Sequence, residues 1–104
     1  MPELDSEMSL FGGFLQYDGD CVFYLGYPLA LTGSERQILL CLMKNHPSPI
    51  AAEDFPLRGL ALSGDPHGLL RAHISHINRK ALAIGGRKLI VCRKNLGYKI
   101  ANSL

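Results

Sequence analysis

The chain has 104 residues, of which 47% are hydrophobic and 19% are charged, a size and composition typical of one globular domain rather than a disordered chain. No apolar run approaches the ~20 residues that a membrane-spanning helix needs, and the acidic N-terminus is unlike a secretory signal. Cys21, Cys41 and Cys92 lie far apart without a CxxC pair. Such spacing is typical of buried, reduced thiols in a cytoplasmic protein.

Charge is divided unevenly along the chain. Residues 66–104 contain eight Lys or Arg and no Asp or Glu, whereas residues 1–65 contain three Lys or Arg and nine Asp or Glu. The two parts carry net charges of +8 and −6, although the whole chain carries only +2. This segregation predicts a polyanionic partner for the C-terminal third. The alternative is a solvated basic face without a partner.

The first half predicts a small sheet followed by a helix. Residues 1–11 are expected to be a flexible segment, and residues 12–104 a single domain. Short β-prone runs separated by turn-forming residues predict an antiparallel meander; they are Phe14–Tyr17, Cys21–Leu25 and Pro28–Leu31. Thr32 and Glu35 then have the spacing of a capping box, which places a helix start near Gly33.

Two further helices are expected. One lies between Ala51 and Leu62, where Pro56 requires it to be short, late-starting or kinked. The other covers residues 65–84, with Asp65 as N-cap. At ~100° per residue its apolar side chains form one stripe, consisting of Leu70, Ile74, Ile77 and Ala81. The opposite face carries guanidinium and short hydrogen-bonding groups, suited to phosphates and base edges; they are Arg71, Ser75, Asn78 and Arg79, with His76 beside them.

The C-terminal segment predicts a β-hairpin. After Gly85-Gly86, the apolar runs LIVC and YKI are joined by RKNLG, which makes a basic tip. Asn95 and Gly97 tolerate the positive φ that such a tip requires. The predicted fold class is therefore α+β, a winged helix-turn-helix with an N-terminal antiparallel sheet, three helices and a C-terminal hairpin wing.

From Gly12 to Ala101 the sequence resembles the DNA-binding effector domain of OmpR/PhoB-type bacterial response regulators. Three motifs carry the resemblance in the order that the family has: LTGSE at the first helix, HISHINRK at the recognition helix and LIVCRKNLGYKI at the wing. Each is weak alone. The resemblance implies a recognition helix at 65–84 in the major groove of double-stranded DNA and a wing at 88–100 at the adjacent minor groove or backbone.

The resemblance also implies site residues and partners. The candidate DNA-binding residues are Arg71, Ser75, His76, Asn78, Arg79, Lys80, Arg93, Lys94 and Asn95. Members commonly bind as head-to-tail dimers and contact RNA polymerase through the loop that corresponds to residues 60–67. In this chain Asn78 replaces a usual Arg, and Lys94 lacks the planar fork of the wing Arg. Replacing Arg79 by Ala is expected to weaken binding to all duplexes, and replacing Asn78 by Ala to change base preference.

Enzymatic and metal-binding functions have little support in the sequence. His73 and His76 supply two of the four ligands that a zinc site needs, and no cysteine pair accompanies them. No residue is placed to activate a cysteine nucleophile. We therefore expect no enzyme, metal or cofactor. Two functions stay open, a cytoplasmic DNA-binding transcription regulator and an interaction module that docks an acidic protein through the same basic surface.

Overall fold

The computed structural model describes residues 7–55 and 66–101, which form two α-helices and two antiparallel sheets. The α-helices are α1 (Gly33–Asn45) and α2 (Pro66–Gly85), and short 3₁₀ helices cover Phe11–Gly13 and Ala52–Asp54. The strands are β1 (Met8–Leu10), β2 (Leu15–Tyr17), β3 (Val22–Tyr24), β4 (Tyr27–Pro28), β5 (Ile90–Arg93) and β6 (Gly97–Ile100). The class is therefore α+β, as expected.

The N-terminal sheet is a four-stranded antiparallel meander in the order β1-β2-β3-β4. The sequence predicts a meander, but β1 precedes the predicted runs, and β4 covers Tyr27–Pro28 rather than Pro28–Leu31. Asp18 shapes the turn between β2 and β3, because its side chain accepts hydrogen bonds from the backbone N–H groups of Asp20 and Cys21, each at 2.9 Å. Alternate side chains point into the core, and these are Leu15, Tyr17, Val22 and Tyr24. Strand β1 lies within residues 1–11, and its Met8 and Leu10 pack against the core.

Helix α1 starts where the sequence predicts. The Glu35 N–H donates to Thr32 Oγ1 at 3.2 Å, and the Thr32 N–H donates to Glu35 Oε1 at 3.1 Å, so both halves of the capping box are present. The next turns bury Ile38, Leu39 and Leu42 completely. Burial of that stripe holds α1 against the sheets, since a 13-residue helix has little stability alone.

The predicted three-helix, winged helix-turn-helix architecture is wrong, because the described chain contains two α-helices. Where the sequence predicts the second helix, Ala52–Asp54 makes one 3₁₀ turn and Phe55 is extended (φ −76°, ψ 129°). Phe55 precedes Pro56, whose ring disfavours the helical conformation for the residue before it. The rest of that predicted helix, residues 56–62, lies outside the described residues.

Helix α2 agrees closely with the helix predicted at 65–84, although Asp65 itself lies outside the described residues. Its predicted apolar stripe is buried, and it packs against α1, β3 and β5. At the C-terminal end, a Cβ on Gly85 would lie only 2.5 Å from Tyr24 Oη. The small residue therefore lets α2 end directly against β3, with its opposite face turned outward.

The C-terminal hairpin pairs β5 with β6, Ile90 opposite Ile100 and Arg93 opposite Gly97. Asn95 (φ 64°) and Gly97 (φ 120°) have the positive φ that the sequence predicts. The N–H groups of Ile50 and Tyr98 each donate to the other residue's carbonyl, at 2.8 and 2.9 Å, which ties the hairpin to the middle of the chain. Within residues 7–55 and 66–101, no helix has the length and apolar character to cross a membrane.

Candidate nucleic-acid interface

One face of α2 is solvent-exposed and carries the first group of candidate residues. Arg71, Ser75 and Arg79 are all exposed and follow one another at four-residue steps, which places them along one ridge about 6 Å apart. With Lys88 and the half-buried Asn78 they line an open groove of about 330 Å³, whose apolar wall is Ile74 and Leu82. The groove therefore brings three cations and one hydroxyl to the surface between α2 and the hairpin.

The tip of the hairpin carries the second group. Arg93, Lys94 and Asn95 are exposed, and the turn is closed by a hydrogen bond from the Leu96 N–H to the Arg93 carbonyl at 3.0 Å. Leu96 is 59% exposed, which is unusual for a leucine that packs. The tip therefore presents two cations, one amide and one aliphatic side chain to solvent.

Asn78 does not present its amide freely on the exposed face. The residue is half-buried; its Nδ2 donates to the Ile90 carbonyl and its Oδ1 accepts from the Ile90 N–H, both at 2.9 Å. The amide thus joins α2 to the first residue of β5. Sequence periodicity placed Asn78 outward but held no information about a partner twelve positions away.

Lys80 points back towards the protein rather than to a ligand. Its Nζ donates to Glu35 Oε1 and to the Ala30 carbonyl, both at 2.6 Å, and Glu35 is only 3% exposed. Burial raises the pKa of the Glu35 carboxyl. Hydrogen bonds from Lys80 and the Thr32 backbone, with the charges of Lys80 and His76, outweigh burial and hold that pKa below its ordinary value.

His76 lies at the margin of the exposed face. Its side chain is half exposed, and its Nδ1 is 3.7 Å from Glu35 Oε2. In the described parts of the chain, no three His, Cys, Asp or Glu side chains are grouped as metal ligands would be. The nearest acidic partner that the structure gives His76 is therefore the Glu35 carboxylate.

The loop at 60–67, which the resemblance implies as a contact for RNA polymerase, lies outside the described residues as far as position 65.

The cysteines differ from expectation in burial. All three are free thiols, but Cys21 and Cys92 are exposed and Cys41 is half-buried. Cys21 follows the turn at Asp18, and Cys92 lies on the outer side of β5, so neither points into the core. Desolvation, followed by the charge of Asp20, raises the pKa of the Cys21 thiol, which disfavours the reactive thiolate.

Sequence reasoning missed three groove residues. Helical periodicity places Ile74 in the core stripe, but its side chain also forms part of the groove wall with Leu82. Leu82 is 43% exposed, and only its position off the buried stripe could have indicated this. The basic composition of the C-terminal third includes Lys88 but indicates no contact for it. Its position two residues before β5 is the signal that places it beside α2.

Comparison with known proteins relates the chain to solved structures only. No family model matches it, and no curated protein matches its sequence. One similar structure is described as "a novel family of redox sensors in the streptococci evolved from two-component response regulators", with a TM-score of 0.58, 16% identity and coverage of 92% of this chain. A second, a RitR mutant, has a TM-score of 0.55, 16% identity and the same 92% coverage.

The structural similarity covers only part of each of the two solved chains. The chain spans 39% and 40% of the lengths of the two solved chains. At 16% identity the likeness shows a shared fold. The chain therefore has the fold of one part of a protein that derives from two-component response regulators.

Proposed function

We propose that this chain is a DNA-binding domain of a transcription regulator, of the OmpR/PhoB effector type. Helix α2 enters the major groove of double-stranded DNA, and the hairpin contacts the adjacent minor groove or backbone. The observation that carries the proposal is the groove between α2 and the hairpin, where Arg71, Ser75, Arg79 and Lys88 are grouped at the surface.

Charge and dimensions support this proposal. No Asp or Glu follows position 65, so no carboxylate of α2 or the hairpin opposes a phosphate backbone. An α-helix with side chains is about 10–12 Å across, and the major groove of B-DNA is about 12 Å wide. The exposed ridge of α2 can therefore face base edges while the basic tip, on the neighbouring element, meets phosphates.

On this proposal, fewer residues are available to read bases than the sequence predicts. Asn78 and Lys80 are engaged within the protein, which leaves Arg71, Ser75 and Arg79 on the ridge. Arginine pairs with the O6 and N7 acceptors of guanine, and serine accepts or donates to several bases. We expect direct readout of few base pairs, with phosphate contacts supplying most of the affinity.

Salt dependence of binding to genomic fragments tests the proposal. With four to six phosphate contacts per protomer, the slope of log K against log salt should be roughly −4 to −5. Fluorescence anisotropy with labelled fragments between about 50 and 200 mM salt covers the range where this slope is measurable. Absence of duplex binding, or an affinity that does not change with salt, would refute the proposal.

A second candidate is an interaction module for an acidic protein. The exposed Leu82 in the cationic groove favours it, because an acidic amphipathic peptide would meet both cations and an apolar surface there. Replacing Leu82 by Ser separates the two functions. DNA binding should change little, whereas docking of an acidic amphipathic peptide should weaken about tenfold or more, since a buried leucine contributes ~1.5–3 kcal/mol.

A further inference from the structure

The amide of Asn78 bridges helix α2 and strand β5. It forms two hydrogen bonds of 2.9 Å with one residue, Ile90, whose N–H and C=O are both engaged. Ile90 is buried and pairs across the hairpin with Ile100. Because its backbone groups bond to Asn78, they face away from β6, and the amide occupies the place that another strand would take.

The contact between Asn78 and Ile90 lies at the start of β5, so a change in the angle of β5 to α2 would move the distant tip of the hairpin. Ile90 is the first residue of β5, and the basic tip begins three residues later at Arg93. At ~3.3 Å per residue the tip is about 10 Å from Ile90. The Ile50–Tyr98 hydrogen bonds restrain β6, and Asn78 restrains the start of β5. Without Asn78, a tilt of β5 about its first residue would displace Arg93 and Lys94 by several ångströms relative to Arg79. A shift of that size separates a cation from the phosphate it contacts.

We propose that Asn78 is a positioning residue, which fixes the hairpin tip relative to α2 so that both elements contact one duplex. It acts through Ile90 and not by reading a base. This inference rests on the proposed function and deepens it. It also changes the expected effect of replacing Asn78, from altered base preference to loss of the phosphate contacts made by the tip.

The test uses a charge-free substitution and a salt titration. Asn78→Ala removes no charge, so loss of a base contact would leave the salt slope unchanged. If Asn78 positions the tip, the slope should become shallower by up to about 1.8, that is about 0.9 for each of the two tip cations. The tip variant R93A/K94A should show the same reduction, and the triple variant should show no further change.

Two controls separate this effect from others. Ser75→Ala alters the exposed ridge without touching Ile90, so its effect should add to that of R93A/K94A. Asn78→Gln retains an amide able to bond adenine but holds it one methylene farther from the helix. It should lose the tip contacts as Ala does, and it keeps the measurement possible if Asn78→Ala does not fold.

Amide exchange of the unbound protein supplies a readout independent of DNA. Exchange at Ile90 should accelerate in both Asn78 variants, while exchange in α1 stays as in the wild type. Wild-type binding with an unchanged slope in both variants, additive effects of Asn78 and the tip, or unchanged exchange at Ile90 would each overturn the inference alone. A wild-type chain that binds no duplex would overturn the proposed function and this inference with it.

Discussion

Replacing Lys80 by Met tests whether this lysine belongs to the protein's interior contacts rather than to the DNA-facing set. Methionine keeps an unbranched apolar stem of similar length and removes only the ammonium group. The Glu35 carboxylate, 3% exposed, would then lose the partner at 2.6 Å. It would keep the Thr32 N–H at 3.1 Å and His76 at 3.7 Å, which supply only part of that stabilisation.

The magnitude lies between two known limits. Breaking a fully buried ion pair costs ~3–5 kcal/mol, and an exposed pair contributes ~0–1 kcal/mol. Since Glu35 is buried and Lys80 is 34% exposed, we expect Lys80→Met to lower the free energy of unfolding by about 2 kcal/mol. With a urea m-value of ~1–1.5 kcal/mol/M for a chain this small, the unfolding midpoint should fall by about 1.5 M.

The pH dependence provides a second measurement of the same contact. Because the pKa of Glu35 is lower in the folded than in the unfolded chain, its ionised form stabilises the fold above the unfolded pKa, which is about 4.3. That contribution disappears as pH falls through the folded pKa. The difference between wild type and Lys80→Met should therefore be largest near neutral pH and shrink in acid.

The matched control is the double variant E35Q/K80M. Glutamine at this helix position can still accept the Thr32 N–H, so the double variant removes both charges and leaves the capping box. It should recover most of the lost stability. Equal stability of Lys80→Met and wild type at neutral pH, within about 0.5 kcal/mol, would refute the role assigned to Lys80.

Three further changes have defined outcomes. Arg79→Ala should weaken binding to every duplex and make the salt slope shallower by about 0.9. Arg36→Ala, which removes an exposed cation on α1, should do neither. Equal effects of the two variants in anisotropy titrations would contradict the proposal that the exposed face of α2 contacts DNA. Gly97→Ala should destabilise by about 1–3 kcal/mol, because φ is 120° and the new Cβ would overlap the Ile50 carbonyl; an unchanged urea midpoint would exclude this clash. Thr32→Ala should cost about 1 kcal/mol of stability through loss of the cap, while Thr32→Ser should cost little; thermal melts that fail to separate the two would show that the cap contributes nothing.

Local signals in the sequence predicted the elements well. The capping box at Thr32 and Glu35, the apolar period of α2 and the RKNLG turn each depend on residues a few positions apart, so their chemistry can be read along the chain. In the described part of the predicted second helix, residues 51–55, the chain is not α-helical, and two local signals compete there. The extended conformation that Pro56 imposes on Phe55 outweighed the helical propensity of the residues before it.

The candidate interface was predicted less completely than the fold elements. Helical periodicity correctly placed Arg71, Ser75 and Arg79 on an exposed face, since exposure follows from angle about the helix axis. It could not tell that Asn78, on the same face, and Lys80, beside the apolar stripe, find partners in Ile90, Ala30 and Glu35. Those contacts join positions 12 to 50 residues apart and depend on how elements pack.

By itself, the sequence determined the α+β class, the separation of charge, and a cationic helix followed by a basic hairpin. These features follow from composition and from spacings of a few residues. Only the tertiary structure decided which polar side chains of α2 remain outward and which serve as links between elements. The physical reason is that a polar group near the core takes a protein partner when packing brings one within about 3 Å, and such proximity is a property of the folded chain.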